Sequence, residues 1–153
     1  MHKPIGLNSE LAELVGVLLG DGCLSVSISP RHAIYAVAFT ASTKEFQYYE
    51  NFVKPTLESE FGIRGHLYLR KDNTTRYHVY CKELVSYLAG LGIPVGKKKD
   101  AAIPATILEH GLTIPFIRGF YHAEGSLYRR YSKAYNRHVK IYDNLGVIHS
   151  ERS

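Results

Sequence analysis

The sequence predicts an α+β fold: one αββαββα half built around an antiparallel sheet, followed by the opening part of a second, pseudo-symmetric half. Three observations predict it. A nine-residue pattern occurs twice, at 16–24 and at 119–127. Segments after the first copy alternate apolar and polar residues with the period of a strand. Between them lie runs with helical spacing, closed by glycine or proline. At 153 residues, 45% hydrophobic and 22% charged, the chain can bury a core and is neither disordered nor fibrous.

The repeat comes first because it organises the rest. Residues 16–24 read Gly-Val-Leu-Leu-Gly-Asp-Gly-Cys-Leu, and residues 119–127 read Gly-Phe-Tyr-His-Ala-Glu-Gly-Ser-Leu. The copies are offset by 103 residues, and Leu14 and Ile117 precede them at equivalent places. Gly16 and Gly20 fall on one helix face, as do Gly119 and Ala123. Small residues at that spacing let two helix backbones approach closely, so the two faces are expected to pack on each other. Gly22 and Gly125 are expected as left-handed residues ending the helices. Asp21 and Glu124 then sit at helix C-termini, where the macrodipole disfavours an anion. Two converging carboxylates repel unless a cation lies between them, which points to an oxygen-ligand site for Mg²⁺.

The intervening elements follow in order. Leu24–Ser29 and Ile34–Thr40 read as strands around a turn at Pro30, Arg31 and His32. Ser42 or Thr43 is placed to cap a helix running to Phe61 and closed by Gly62. Phe46, Tyr49, Phe52 and Val53 have helical spacing, and Pro55 is expected to kink or split the helix. Ile63–Lys71 and Arg76–Lys82 form a hairpin around 72–75, and Lys82–Leu91 is a short helix stopped by Gly92 and Pro94. After the second copy, strands are expected at Ser126–Tyr131 and His138–Tyr142.

Charge suggests the partner. Residues 1–63 carry a net −3 and residues 64–153 a net +8. Clustered Lys and Arg release counterions from phosphates, so the asymmetry favours a polyanion. Arg64, His66, Tyr68 and Arg70 share one strand face, and Arg76, His78, Tyr80 and Lys82 share the next. Beyond the second copy, Arg129, His138 and Lys140 extend the basic set. A two-stranded ribbon bearing such residues fits the DNA major groove, although a solvated antiparallel face alternates in the same way. Other classes are excluded. No apolar run approaches the roughly 20 residues of a membrane span. Two cysteines, Cys23 and Cys81, make no disulfide framework, and the eight histidines lack zinc-ligand spacing. His122 is turned away from Glu124 and reads as a packing or surface residue. The N-terminus lacks a signal-peptide apolar block, so an intracellular location, cytoplasmic, nucleoid-associated or organellar, is expected.

The segment Leu14-Val15-Gly16-Val17-Leu18-Leu19-Gly20-Asp21-Gly22 resembles the signature of the LAGLIDADG homing endonucleases, and 117–125 resembles a second copy. The resemblance implies a fold of two αββαββα halves with saddle-like sheets, joined through the motif helices. It implies Asp21 and Glu124 as metal ligands, with Gly20 and Ala123 beside them in the metal-binding set, and Mg²⁺, or Mn²⁺ in its place, as cofactor. It implies Lys97, with Lys98 next, as a basic residue that activates water or offsets transition-state charge. Thr43 stands roughly where the family often has Gln. The implied activity is site-specific, metal-dependent cleavage of double-stranded DNA by an intron- or intein-associated enzyme. Structured intron RNA is a further partner to weigh.

The second half is short. Residues 1–111 make a first half, and 112–153 begin a second. From Leu24 to Leu91 there are 68 residues, but only 28 from Ser126 to Ser153. A fragment, a decayed remnant, or two chains completing each other as a dimer would each account for this. The same feature keeps a second class in view: a protein of this fold, such as a maturase or regulator, that grips DNA or RNA without cutting. A two-carboxylate glycosidase is the weaker third class, because it explains neither the basic strand faces nor the lack of Trp.

Overall fold

The computed structural model describes residues 1–4, 6–96 and 102–128, with side chains as far as Ala123. Helix α1 (Ser9–Asp21) is opened by Asn8, whose Oδ1 accepts the Leu11 N–H at 2.7 Å. Leu11, Ala12 and every residue from Leu14 to Gly20 are buried, so α1 is a central helix rather than an amphipathic surface one.

Strand β1 (Gly22–Ile28) follows α1 with no connecting residue. Gly22 is extended (φ −106°, ψ 174°), which corrects the expectation of a left-handed stop. Glycine is needed there for closeness: a Cβ would stand 2.4 Å from Leu18 Cδ1 and 3.0 Å from Leu18 O. Strand β2 (Ala33–Ser42) pairs antiparallel with β1, in register from Gly22↔Phe39 to Ile28↔Ala33. Strands β3 (His66–Leu69) and β4 (Thr74–Tyr80) complete an antiparallel sheet of order β1-β2-β4-β3. The β3–β4 turn holds Asn73 at φ 64°, a left-handed position that asparagine tolerates.

The helical stretch after β2 changes its winding. A 3₁₀ turn (Thr43–Glu45) leads into the single-turn α2 (Phe46–Tyr48), a π segment (Tyr49–Val53) and α3 (Lys54–Phe61). Pro55 therefore falls in the first turn of α3, where its missing N–H is tolerated. Gly62 ends α3 at φ 66°, as expected. Ser42 occupies the cap position of the 3₁₀ turn but makes no capping side-chain bond, and Thr43 lies inside the turn.

Helix α4 (Lys82–Gly90) takes Lys82 out of the strand to which the alternation assigned it. Helix α5 (Ala105–Glu109), begun by Pro104, is an element that the sequence pattern does not predict. Helix α6 (Thr113–Tyr128) runs through Gly125, so this glycine does not end it, and Ser126–Tyr128 are helical rather than the start of a strand. One interior glycine disfavours a helix by only about 1 kcal/mol, too little to stop one whose hydrogen-bonded turns continue. The expected strand at His138–Tyr142 lies outside the described residues. No described helix is long and apolar enough to cross a membrane.

The core forms where α1 meets the inner sheet face, α3, α4 and α6. Leu24, Val37, Phe39, Ala41, Tyr77 and Val79 supply the sheet side, and Phe116, Phe120 and Ala123 the α6 side. The predicted close approach of the repeat helices is present. A Cβ on Gly16 would stand 2.1 Å from Phe116 O and 2.8 Å from Phe120 N, and one on Gly119 would stand 2.0 Å from Glu13 O. Each glycine thus faces the residue three places before the other copy's glycine. The contact is reciprocal, as a two-fold relation between the copies requires.

Candidate active site and nucleic-acid face

Asp21 is the last residue of α1 and is half-buried. Its Oδ2 accepts a hydrogen bond from the Tyr49 hydroxyl at 3.0 Å. The neighbouring Tyr48 hydroxyl donates to Glu13 Oε2 at 2.7 Å, and Arg118 Nη1 approaches Glu13 Oε1 at 3.4 Å. The ring of Tyr48 lies against His122, with centroids 3.6 Å apart, and His122 Nε2 pairs with Glu45 at 2.5 Å. A polar network therefore links α1, the helical stretch after β2, and α6. Burial first, and then the Glu13 carboxylate, push the Tyr48 hydroxyl far above its ordinary range. Burial and then Asp21 do the same to Tyr49. Both tyrosines stay neutral donors at working pH.

Helical spacing identifies Tyr49 only as one of a series with Phe46, Phe52 and Val53, and gives Tyr48, Glu13, Glu45 and Arg118 no site role. Adjacent tyrosines were the available signal. Side chains about 100° apart on a helix cannot share one apolar face, so at least one hydroxyl must find a polar partner. His122 packs and pairs as expected of a packing or surface residue, though on a site element.

Gly20 is buried in the last turn of α1, and Ala123 is buried in α6. Glu124 is the next residue; because α6 runs on to Tyr128 it lies inside the helix and not at the C-terminus expected for it, and its side chain lies outside the described set. Lys97, Lys98, Arg129, His138 and Lys140 also lie outside it. The chain enters the stretch before Lys97 beside the start of β1: Val95 bridges Leu24, and the Gly96 N–H donates to Leu24 O at 2.8 Å. No group of three or more His, Cys, Asp or Glu placed to hold a metal occurs among the described residues. The donors present nevertheless suit a hard cation. They are the two oxygens of the Asp21 carboxylate, set at the negative end of α1.

The outer sheet face carries the other predicted set. His66 pairs His78 and Tyr68 pairs Arg76 across β3–β4. His66, Tyr68, His78 and Tyr80 form a ladder of rings with centroids 4.8–5.8 Å apart. Tyr80 is 65% exposed, and Arg76 Nη1 donates to Thr40 Oγ1 at 3.1 Å. Arg64 is exposed just before β3. Arg70 follows β3, with Nη2 3.8 Å from the Asp72 carboxylate. Lys82 stands apart from this face: its Nζ lies 5.6 Å from the centre of the Tyr35 ring. Burial, then His66 and Arg76, hold the His78 imidazole below its ordinary value.

An α+β chain with two small-residue helices locked in reciprocal contact, the first ending at Asp21, over a four-stranded antiparallel sheet, has the LAGLIDADG homing endonuclease-like fold. Solved structures of one such enzyme are similar along most of the chain. Mesophilic variants of the homing endonuclease I-DmoI match at a TM-score of 0.55 and 19% identity over 90% of this chain and 72% of theirs. I-DmoI in complex with DNA and Ca matches at 0.55 and 21%, over 90% and 72%. I-DmoI with DNA and Mn matches at 0.55 and 20%, over 91% and 78%. At this identity the likeness establishes the fold. No protein-family model matches the chain, and no curated protein does.

Proposed function

We propose that this chain is a DNA-binding, metal-dependent endonuclease that cuts duplex DNA at a specific site. The observation that carries the reading is the packed pair of repeat helices with Asp21 at the end of α1. The macrodipole disfavours a carboxylate at that end. A bound cation would offset that cost. The similar I-DmoI structures, with DNA and with Ca or Mn, support the same reading.

In this reading Asp21 and Glu124 hold the ion, with Gly20 and Ala123 beside them. Mg²⁺, or Mn²⁺ in its place, would supply charge neutralisation at the scissile phosphate and activation of water. The chain's own residues do the rest. The contact of Gly16 with Phe116 and Phe120, and of Gly119 with Glu13, holds α1 and α6 together and would thereby set the backbone separation of positions 21 and 124. Lys97 or Lys98 offsets charge that develops on the phosphate. His66, Tyr68, Arg76, His78 and Tyr80, flanked by Arg64 and Arg70, hold and read the duplex, with Arg129, His138 and Lys140 extending that contact.

The test is incubation with duplex DNA carrying a candidate intron-insertion site. Nicked or cut product with Mg²⁺, and none with a chelator, is the expected result. Retention of DNA with no product at any Mg²⁺ or Mn²⁺ concentration would contradict the enzyme and favour a binding module of the same fold.

A further inference from the structure

We propose that Tyr49 is a positioning residue for the Asp21 carboxylate, holding it in the orientation in which it takes a divalent cation; this rests on the reading of Asp21 as a metal ligand. Tyr49 opens the π segment Tyr49–Val53. A π turn changes the direction in which its side chains project, and such turns recur at functional sites. The Tyr49 ring is 1% exposed and held from two sides. It meets Phe39 edge-on at 5.8 Å and Tyr48 edge-on at 6.1 Å. Phe39 lies on β2 directly opposite Gly22, the residue that follows Asp21. The ring is thus fixed to the strand pair into which Asp21 leads. From that seat its hydroxyl donates to Asp21 Oδ2 at 3.0 Å.

A hydrogen bond to one oxygen of a ligating carboxylate sets the carboxylate's rotation and so the direction of its lone pairs. Tyr48 serves as the internal comparison. Its hydroxyl goes to Glu13, about two turns earlier on α1 and outside the proposed ligand pair. The two tyrosines pin one helix at two points, and only one of them touches the proposed ligand.

The test measures binding of Mn²⁺ alone to the full chain, by the electron paramagnetic resonance of the free ion. Tyr49→Phe keeps the ring and removes the hydroxyl. Its Mn²⁺ dissociation constant should rise about tenfold. Tyr48→Phe should stay within about twofold of wild type, and Tyr49→Phe should have no further effect in an Asp21→Asn background. Equal Mn²⁺ affinity in wild type and a folded Tyr49→Phe overturns the proposal and leaves the nuclease reading standing. Asp21-dependent Mn²⁺ binding without DNA cleavage contradicts the nuclease reading and leaves the proposal standing. Should Tyr49→Phe lose its near-ultraviolet circular dichroism, 3-fluorotyrosine at position 49 retains the hydroxyl and reports directly. Its ¹⁹F resonance should move on addition of Mg²⁺ in wild type and not in Asp21→Asn, and an unmoved wild-type resonance overturns the proposal.

Discussion

Gly16→Ala is the substitution for which the structure sets the strongest terms. The new Cβ would stand 2.1 Å from Phe116 O, where ordinary contact begins near 3.4 Å. Both nearest atoms, Phe116 O and Phe120 N, are backbone, so no rotamer change relieves the clash. Helix α6 must move back from α1 by roughly 1.3 Å, the difference between those distances. Phe116 and Phe120, both fully buried, then lose contact with α1. Overpacking of this kind costs about 1–3 kcal/mol, and a backbone clash belongs near the upper end. The helix propensity of alanine over glycine returns about 1 kcal/mol. The net destabilisation is about 2 kcal/mol, or a fall in Tm of roughly 4–8 °C for a domain of this size. Thermal unfolding followed by circular dichroism reads it. Gly90→Ala is the control, because nothing lies within 4 Å of its added Cβ, and it should unfold at or above the wild-type temperature. Cleavage should fall by more than stability, about 100-fold, because displacement of roughly 1 Å between reacting groups has that effect. A Gly16→Ala protein that melts with wild type and cuts as well would refute the claim that α1 and α6 pack through this glycine.

Two further outcomes concern pH. In the free protein His78 is held below its ordinary pKa by burial, His66 and Arg76; phosphates against this face would reverse that, so the complex binds more protons than the free chain. DNA affinity should therefore rise as pH falls from about 8 to about 6, by up to about tenfold where the duplex raises the imidazole pKa by about 1. His78→Gln should flatten the slope measured by filter binding; an unchanged slope removes His78 from the phosphate contacts. Burial alone would raise the Glu58 carboxyl, but the bonds it accepts from Lys54, the Gly65 N–H and Tyr77 outweigh it and hold the carboxyl below its ordinary value. The stability this adds is present above the unfolded value near 4.5 and is lost as pH falls through the folded value. Urea midpoints across pH 5 to pH 3 should thus fall more steeply for wild type than for Glu58→Gln, and parallel lines would contradict the clip between α3 and the turn into β3.

The parts of the fold visible in the sequence are those governed by local pattern. Gly16 and Gly119 announced helix contact because a small-residue face has few other uses. Alternation exposed β3 and β4, since Tyr77 and Val79 must face the core while Arg76 and His78 face out. Gly62 marked the end of α3 through its left-handed backbone. What failed had rival explanations of similar energy. Gly22 signals equally a left-handed stop and a close approach to Leu18, and only the packing distinguishes them. Gly125 suggested a helix end, yet α6 passes through it. Lys82 fits both the last place of an alternating strand and the first of a helix.

The site followed the same division. Asp21 stands out as a candidate because a carboxylate breaks a rule of helix ends. Its partner Tyr49 does not, because the five-residue π segment that it opens has no sequence period of its own.

The most direct measurement of the central claim separates grip from cutting in a single substitution. Asp21→Asn retains the shape of the side chain and removes its charge. It should abolish Mg²⁺-dependent cleavage while leaving affinity for the same DNA within a fewfold of wild type. A folded Asp21→Asn protein that still cuts, or that loses binding and cleavage together, would contradict the account.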